Sequence, residues 1–279
     1  MKIVNLIEDT KGRLGCTYAH GLSFYVETQN HKLLVDLGPS EETLKNAEKL
    51  GIDLTEVDIV ILSHGHYDHS GGIMAFSRIN SHAPIYMQAS ASFDYFADDG
   101  KEKGDKRFRY IGIDKKIVSL PQVKAITGDH IIDDELELFM VRKKPHELPF
   151  TNNRILVKEN GKYKRDDFSH EEYLMIRDEG KCVLMSGCAH NGIPNILDTY
   201  KEKYGSFPDE VISGFHLMKK SEYTDNERCE VEALGKELKE YPTMFYTCHC
   251  TGETAYEIMK RNMGDKIQYV HSGEEIILR

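Results

Sequence analysis

Four side chains that could bind a metal ion lie within six residues of this 279-residue chain, in the segment His64-Gly65-His66-Tyr67-Asp68-His69. The segment follows the apolar run VDIVIL (57–62), which predicts a buried strand. All four candidate ligands therefore lie just after the carboxyl end of the same strand. His64 and His66 can converge on one ion, while Asp68 and His69 can turn towards a second position nearby. The spacing therefore predicts a metal centre.

Two later segments have the same form, in which an apolar strand is followed by a tight turn with a ligand and then by a helix. The first carries Cys188 and His190, and the second carries His249. Because open α/β folds gather their sites at the carboxyl ends of strands, we expect all three segments to surround one pocket. Cys248 and Cys250 flank His249 on alternating sides of a strand end, and both are expected to pack rather than to bind.

Several other residues are candidates for supporting roles. Asp36 ends the predicted strand HKLLVDLG, where a carboxylate can orient a histidine ligand. His216, at the end of a late strand, could bind substrate or donate a proton. His146 lies in the loop KPHELP and rivals His190 as a third histidine ligand. His20 either lines the mouth of the pocket or lies in an exposed turn.

The elements that must position these residues alternate between strand and helix at both ends of the chain, around a β-rich centre at about 117–157. This order favours one domain over residues 1–279, built as a four-layer αββα sandwich with two facing sheets and helices on both outer faces. The polar stretch 161–172 is interpreted as a link. The charged stretch 98–109 is interpreted as a solvated loop or hairpin tip, with a cationic lid over the substrate as the alternative.

Composition excludes several classes of function. Lys+Arg 36 against Asp+Glu 46 gives a formal charge of -10 without a long basic stripe, which argues against nucleic acid as a partner. No apolar run approaches the ~20 residues of a membrane span, and the N-terminal run is too short for a signal peptide. Six scattered cysteines fit a reducing cytoplasm. No glycine-rich nucleotide loop is present, so the expected partner is a small-molecule substrate without a nucleotide cofactor.

The motif HGHYDH after an apolar strand, together with Asp36, His190 and His249, resembles the metallo-β-lactamase superfamily. The stretches AHGLSFYVE, SGCAHNGIPNI, SGFHL and HCTG resemble its dihydropterin–ribofuranosylaminobenzene phosphate synthase-like branch, over nearly the whole chain. The resemblance implies the same sandwich fold and two metal positions, one with His64, His66 and a third histidine, His190, the other with Asp68, His69 and His249. The bridging aspartate usual in the family has no clear counterpart, since Cys188 occupies the strand end where it is sought.

These observations favour a metal-dependent hydrolase with one or two ions, zinc first and manganese or iron as alternatives. Asp68 would orient or deprotonate the attacking water, and helices that begin after His190 and His249 suit an anionic ester such as a phosphoester. Transfer rather than hydrolysis, joining a pterin to a ribosyl-phosphate unit, is the alternative implied by the branch. A non-catalytic metal-binding protein is a third possibility, and a redox di-iron role is a weaker one.

Overall fold

The computed structural model describes residues 1–100 and 107–278. Its strands, in chain order, are β1 (Lys2–Ile7), β2 (Ser23–Glu27), β3 (Lys32–Val35), β4 (Ile59–Ile61), β5 (Ile85–Gln88), β6 (Tyr95–Asp98), β7 (Phe108–Tyr110), β8 (Val123–Ile126), β9 (His130–Ile131), β10 (Leu136–Phe139), β11 (Ile155–Glu159), β12 (Lys162–Arg165), β13 (Tyr173–Asp178), β14 (Lys181–Met185), β15 (Glu210–Ser213), β16 (Met244–Thr247), β17 (Ile267–Tyr269) and β18 (Glu275–Ile276). Its helices are α1 (Glu42–Lys49), α2 (Tyr67–Ser70), α3 (Ile73–Ile79), α4 (Ile193–Tyr204), α5 (Asp225–Glu240) and α6 (Glu253–Met263).

Two seven-stranded sheets and one four-stranded sheet organise these elements. The first sheet has the order β18-β1-β2-β3-β4-β5-β8, the second β17-β16-β15-β14-β13-β10-β9, and the small sheet β12-β11-β6-β7. Strands β3, β4, β5 and β8 pair in parallel, as do β14, β15, β16 and β17. The segments that carry the predicted ligands follow β4, β14 and β16, so the parallel pairing sets their directions.

Apolar side chains fill three interfaces. Leu33 and Ile59 of the first sheet pack against Val183 of the second in one buried cluster. Phe76 of α3 belongs to a cluster on the other face of the first sheet, and Leu197 of α4 to one that joins α4, α5 and α6 to the second sheet. Each fully buried side chain of this size contributes about 1.5–3 kcal/mol. The layers are helix, sheet, sheet and helix, which confirms the predicted αββα sandwich.

Two stretches differ from their sequence interpretation or extend beyond it. Residues 161–172 are not a simple link: they contain β12 and a buried turn that leads into β13, a strand of the second sheet. The charged stretch 98–109 is flanked by the antiparallel pair β6 and β7. Its predicted tip, residues 101–106, lies outside the described residues. Among the helices that the structure describes, none has the length and apolarity to cross a bilayer.

Candidate metal centre

Three buried histidines meet where strands of the two large sheets end. His64 and His66 follow β4, His190 follows β14, and all three side chains are at most 4% exposed. Each offers a ring nitrogen that lies within 4.8 Å of the other two, and the Nε2 atom of each has no hydrogen-bond partner among the described residues. Burying unpaired polar atoms is costly, so converging imidazoles of this kind fit a bound cation.

Neighbouring side chains fix the protonation of two of these rings. The hydroxyl of Ser63 donates to Asp36 (2.7 Å), so its oxygen accepts the Nδ1 proton of His64 at 2.8 Å. The Nδ1 atom of His190 lies 3.0 Å from the Oδ1 atom of Asn152, whose amide group donates to the carbonyl of His190. Both rings are thereby held with Nδ1 protonated, which leaves the Nε2 lone pair free.

The pKa values of the three histidines agree with this arrangement. Burial, reinforced by the neighbouring imidazoles, holds the pKa of His64 and of His190 well below its usual range. Burial likewise lowers the pKa of His66 to about 3. All three rings are therefore neutral at physiological pH, which is the form of imidazole that binds a metal.

A second group of donors lies beside the first. The Oδ2 atom of Asp68 lies 3.8 Å from Nε2 of His69 and 3.5 Å from Nε2 of His249. The Nδ1 atom of His69 contacts the Oδ2 atom of Asp36 at 2.6 Å, and Nδ1 of His249 is hydrogen-bonded to Asp9. The ring centroids of His69 and His249 are 5.1 Å apart. This group, unlike the first, contains a carboxylate.

Charge stabilises the ionised forms in this second group. Burial alone would raise the pKa of Asp68, but His69 and the other nearby imidazoles hold it well below its usual range. Burial alone would lower the pKa of His249, but the carboxylate of Asp9 raises it well above its usual range. Asp68 is thus an ionised carboxylate that can bind a divalent cation. In the absence of an ion, Asp9 favours the protonated form of His249, and a divalent cation bound here would displace that proton.

Four residues of the site adopt left-handed backbone conformations that non-glycine residues rarely populate. They are Asp36 (φ 61), Ala189 (φ 53), His216 (φ 47) and His249 (φ 48). Such conformations cost of order 1–3 kcal/mol each and persist where the surrounding structure fixes them. Their concentration here is typical of a functional site.

The remaining candidate histidines divide between the site and the surface. The ring centroids of His216 and His190 are 4.1 Å apart. The Nδ1 atom of His216 lies 2.7 Å from the hydroxyl oxygen of Thr151. His20 is half exposed, contacts Asp9 at 2.8 Å and has its Nε2 atom 3.5 Å from Asp68, so it lies at the mouth of the site.

His146 does not join the first histidine group. Its Nε2 atom lies 2.9 Å from Asp198 of α4, and its Nδ1 atom lies 3.7 Å from Glu237 of α5. Both partners belong to the outer helix layer. The structure therefore brings His190, and not its rival, to His64 and His66.

The cysteines separate in the same way. Cys248 packs between the two sheets, as expected from its position. Cys250 is also buried and lies at the edge of the site, in a group with Cys188 and His249 whose donor atoms are within 4.8 Å of one another. The Sγ atom of Cys188 is 3.2 Å from Nε2 of His69.

Several residues that support the site were missed in the sequence, among them Asp9, Asn152, His170 and Glu171. The Nδ1 atom of His170 accepts the backbone N–H of Gly65 at 2.9 Å, and its Nε2 atom lies 3.0 Å from Asp166, which fixes the turn between the first two ligands. The carboxylate of Glu171 accepts the backbone N–H groups of His190 (2.7 Å) and of the next residue (2.9 Å). The position of His170 and Glu171 directly before the apolar run YLMI of β13 was the available signal.

Comparisons with known proteins agree with this geometry. A family model described as the metallo-beta-lactamase superfamily matches residues 17–200. A 7,8-dihydropterin-6-methyl-4-(beta-D-ribofuranosyl)-aminobenzene-5'-phosphate synthase of Methanocaldococcus jannaschii is 28% identical over 301 aligned residues, covering 99% of this chain and 96% of the relative.

Two crystal structures are also similar. Tm1679, described as a metal-dependent hydrolase of the beta-lactamase superfamily, has 30% identity and a TM-score of 0.80, covering 99% of this chain and 98% of its own. A diphosphatase of the PhnP family, with 16% identity and a TM-score of 0.52, covers 100% of this chain and 98% of its own and shares the fold.

Proposed function

Because this chain belongs to the metallo-beta-lactamase superfamily, we propose that it is a metal-dependent hydrolase with one or two divalent ions between its sheets. The observation that carries the proposal is the convergence of buried, unpartnered imidazole nitrogens from His64, His66 and His190. We assign the first ion to these histidines and the second to the adjacent donors of Asp68, His69 and His249. Zinc is our first choice for donors of this kind, with manganese or iron(II) as alternatives.

Asp68 is the residue best placed to handle the attacking water. A divalent ion at these residues would make water a stronger acid and polarise a carbonyl or phosphoryl oxygen of the substrate. The carboxylate of Asp68 is ionised and lies between His69 and His249 at the open side of the site, close to the half-exposed His20. In this position it can orient the water and accept its proton.

His216 is suited to substrate binding rather than to proton donation. The hydroxyl of Thr151 donates to the carbonyl of His216, so its oxygen accepts the Nδ1 proton of the same ring. That leaves Nε2 as an acceptor, and burial lowers the pKa of His216 to about 3, so the ring stays neutral. We therefore assign His216 to accepting a hydrogen bond from the substrate or from water.

The substrate class we propose is a small anionic ester. The start of α4 after His190 contributes less to binding an anion than expected. The carboxylate of Glu171 already accepts the two backbone N–H groups that precede this helix. The second helix, α6, begins at Glu253, four residues after His249. We assign the N-terminal end of this helix to the anionic group of the substrate. The synthase from M. jannaschii, whose name contains a 5'-phosphate, supports a phosphate-bearing ligand.

A panel of phosphomonoesters, phosphodiesters and carboxylic esters tests the proposal on purified protein loaded with zinc, manganese or iron(II). We expect hydrolysis of at least one class, with activity abolished in His66→Ala and retained in His146→Ala, whose imidazole contacts the outer helices. Stoichiometric metal without turnover of any ester would instead favour a non-catalytic metal-binding protein.

Group transfer is the second candidate, and the 28% identity to the synthase across 99% of this chain favours it. A transferase would release product from a ribosyl-phosphate donor only when a pterin acceptor is present. A hydrolase would release it in water alone. Adding the acceptor to the same assay therefore separates the two activities.

A further inference from the structure

Cys188 places a buried thiol against the second group of donors. It follows β14, two residues before His190, and its side chain is 2% exposed. Its Sγ atom lies 3.2 Å from Nε2 of His69, the nitrogen that faces the Asp68 carboxylate at 3.8 Å. A ring nitrogen of His249 also lies within 4.8 Å of this sulfur. Four donors from three segments thus face one volume.

Three of the six separations among these donors lie within about 0.2 Å of the range expected around one tetrahedral ion. Nitrogen and oxygen ligands bind zinc at about 2.0–2.2 Å and sulfur at about 2.3 Å, so two ligands of one ion stand roughly 3.3–3.6 Å apart. The observed separations are 3.2 Å from His69 to Cys188, 3.5 Å from His249 to Asp68 and 3.8 Å from His69 to Asp68. Small movements of the side chains would complete the set.

Cys250 is the rival thiol at this point, because its Sγ atom lies within 4.8 Å of a ring nitrogen of His249, but it already makes two hydrogen bonds to the backbone. The Sγ atom of Cys250 accepts the backbone N–H of His216 at 3.3 Å and donates to the carbonyl oxygen of Cys188 at 3.7 Å. Cys248 packs in the apolar interface between the sheets. The thiol of Cys188 contacts that of Cys250 and, in addition, an imidazole nitrogen of the second group of donors. Cys188 is therefore the sulfur that faces the metal position.

We propose that Cys188 binds the second ion as a thiolate, together with Asp68, His69 and His249, and that this position selects zinc over manganese. This inference rests on the proposed function, because it takes over the assignment of the last three ligands. The thiol proton, and the proton that Asp9 favours on His249, pass to solvent when the ion binds. The ligand set then carries two negative charges, which balance a divalent ion, and its thiolate favours a soft ion over a hard one.

Cobalt(II) substitution tests the inference without any measurement of activity. A thiolate ligand gives Co(II) an intense sulfur-to-metal charge-transfer band in the near ultraviolet, whereas nitrogen and oxygen ligands do not. We expect the full-length protein to bind two Co(II) ions per chain, the second with this band. Absence of the band from the doubly loaded wild-type protein would overturn the inference, even if no variant could be purified.

Three variants identify the sulfur. Cys188→Ser should retain the first ion, lose the band and bind the second zinc ion at least about tenfold more weakly. Cys250→Ala and Cys248→Ala, which remove neighbouring buried thiols, should keep both ions and the band. If the band were lost in Cys250→Ala and retained in Cys188→Ser, the thiolate would belong to Cys250, and the inference would be overturned.

Metal selectivity and stoichiometry complete the test. After a challenge with excess manganese, wild-type protein should keep its second zinc ion, and Cys188→Ser should exchange it. Equal exchange in both proteins would contradict the role of the thiolate. If one ion binds and no band appears, the inference fails while the proposed function stands. If no ion binds at all, the proposed function itself fails.

Discussion

Replacing Asp36 by Asn should weaken metal binding at the second position without removing any ligand. The buried carboxylate of Asp36 accepts three hydrogen bonds: from the backbone N–H of Ser63 (2.8 Å), from the Ser63 hydroxyl (2.7 Å) and from Nδ1 of His69 (2.6 Å). In Asp36→Asn, the amide oxygen can keep the backbone hydrogen bond. The NH₂ group then faces His69 and can only donate.

The consequence is a change of tautomer in His69. Its Nδ1 atom must give up its proton to accept from the new amide, and the proton moves to Nε2, the atom that is directed at Asp68 and Cys188. A protonated nitrogen cannot bind a metal. A hydrogen bond to a charged group is worth about 1.5–3 kcal/mol, which corresponds to a roughly 10- to 150-fold loss of affinity for the second ion. Supporting residues of metal ligands typically show 10–100-fold effects.

Titration of the metal-free protein against a chromophoric chelator would measure both affinities. The first ion should be affected less than the second, because the new amide would act on His64 only through the Ser63 hydroxyl, whereas it would contact His69 directly. Asp198→Asn is the matched control, since Asp198 contacts a histidine, His146, at 2.9 Å on the surface. A second-ion affinity in Asp36→Asn within about threefold of wild type would refute the reasoning.

Three further predictions concern catalysis, ligand identity and stability. Asp68→Asn should keep most of the first ion but lower turnover by roughly 10²–10⁴, and full activity in a steady-state assay would end the mechanism drawn above. His190→Ala should lose first-site affinity by at least about 10–100-fold in elemental analysis, while His146→Ala retains it; the reverse pattern would exchange their roles. Burial raises the pKa of Glu172 from 4.5 to about 8, so the folded state keeps a proton that the unfolded chain releases, and stability falls as pH rises from about 4.5 to 8. In urea unfolding of metal-free protein, the advantage of Glu172→Gln over wild type should grow by up to roughly 4–5 kcal/mol across that range, and a constant difference would contradict the shift.

The sequence was informative where ligands and strand ends coincide. The spacing of His64, His66, Asp68 and His69 after an apolar run indicated two neighbouring donor groups, and the structure places these side chains in such groups. The alternation of strands and helices was sufficient to predict the sandwich fold. Each helix or sheet must bury its apolar face against another layer, and few architectures allow this.

Partners that are distant along the chain could not be predicted in this way. His170 supports the backbone of Gly65, and Glu171 accepts N–H groups from the segment of His190. Their position before the apolar run of β13 is a local signal, but it does not show which groups they contact. Both residues lie in a charged stretch that has the composition of a solvated link. Their burial depends on how β13 enters the second sheet, which is a property of the whole fold. The surface location of His146 is likewise decided by its contacts with two outer helices.

The donors come from both large sheets, and this has a consequence for how the protein matures. His64 follows β4 of the first sheet, whereas His190 and His249 follow β14 and β16 of the second. During synthesis, the early donors leave the ribosome long before the later ones, so the first metal position is complete only after β14 has docked and the second only after β16 has docked. A bound ion then cross-links the two halves and stabilises only the fully assembled chain, by mass action. Metal supply should therefore affect resistance to proteolysis as well as turnover, because without the ions only the apolar interface between the sheets holds the two halves together.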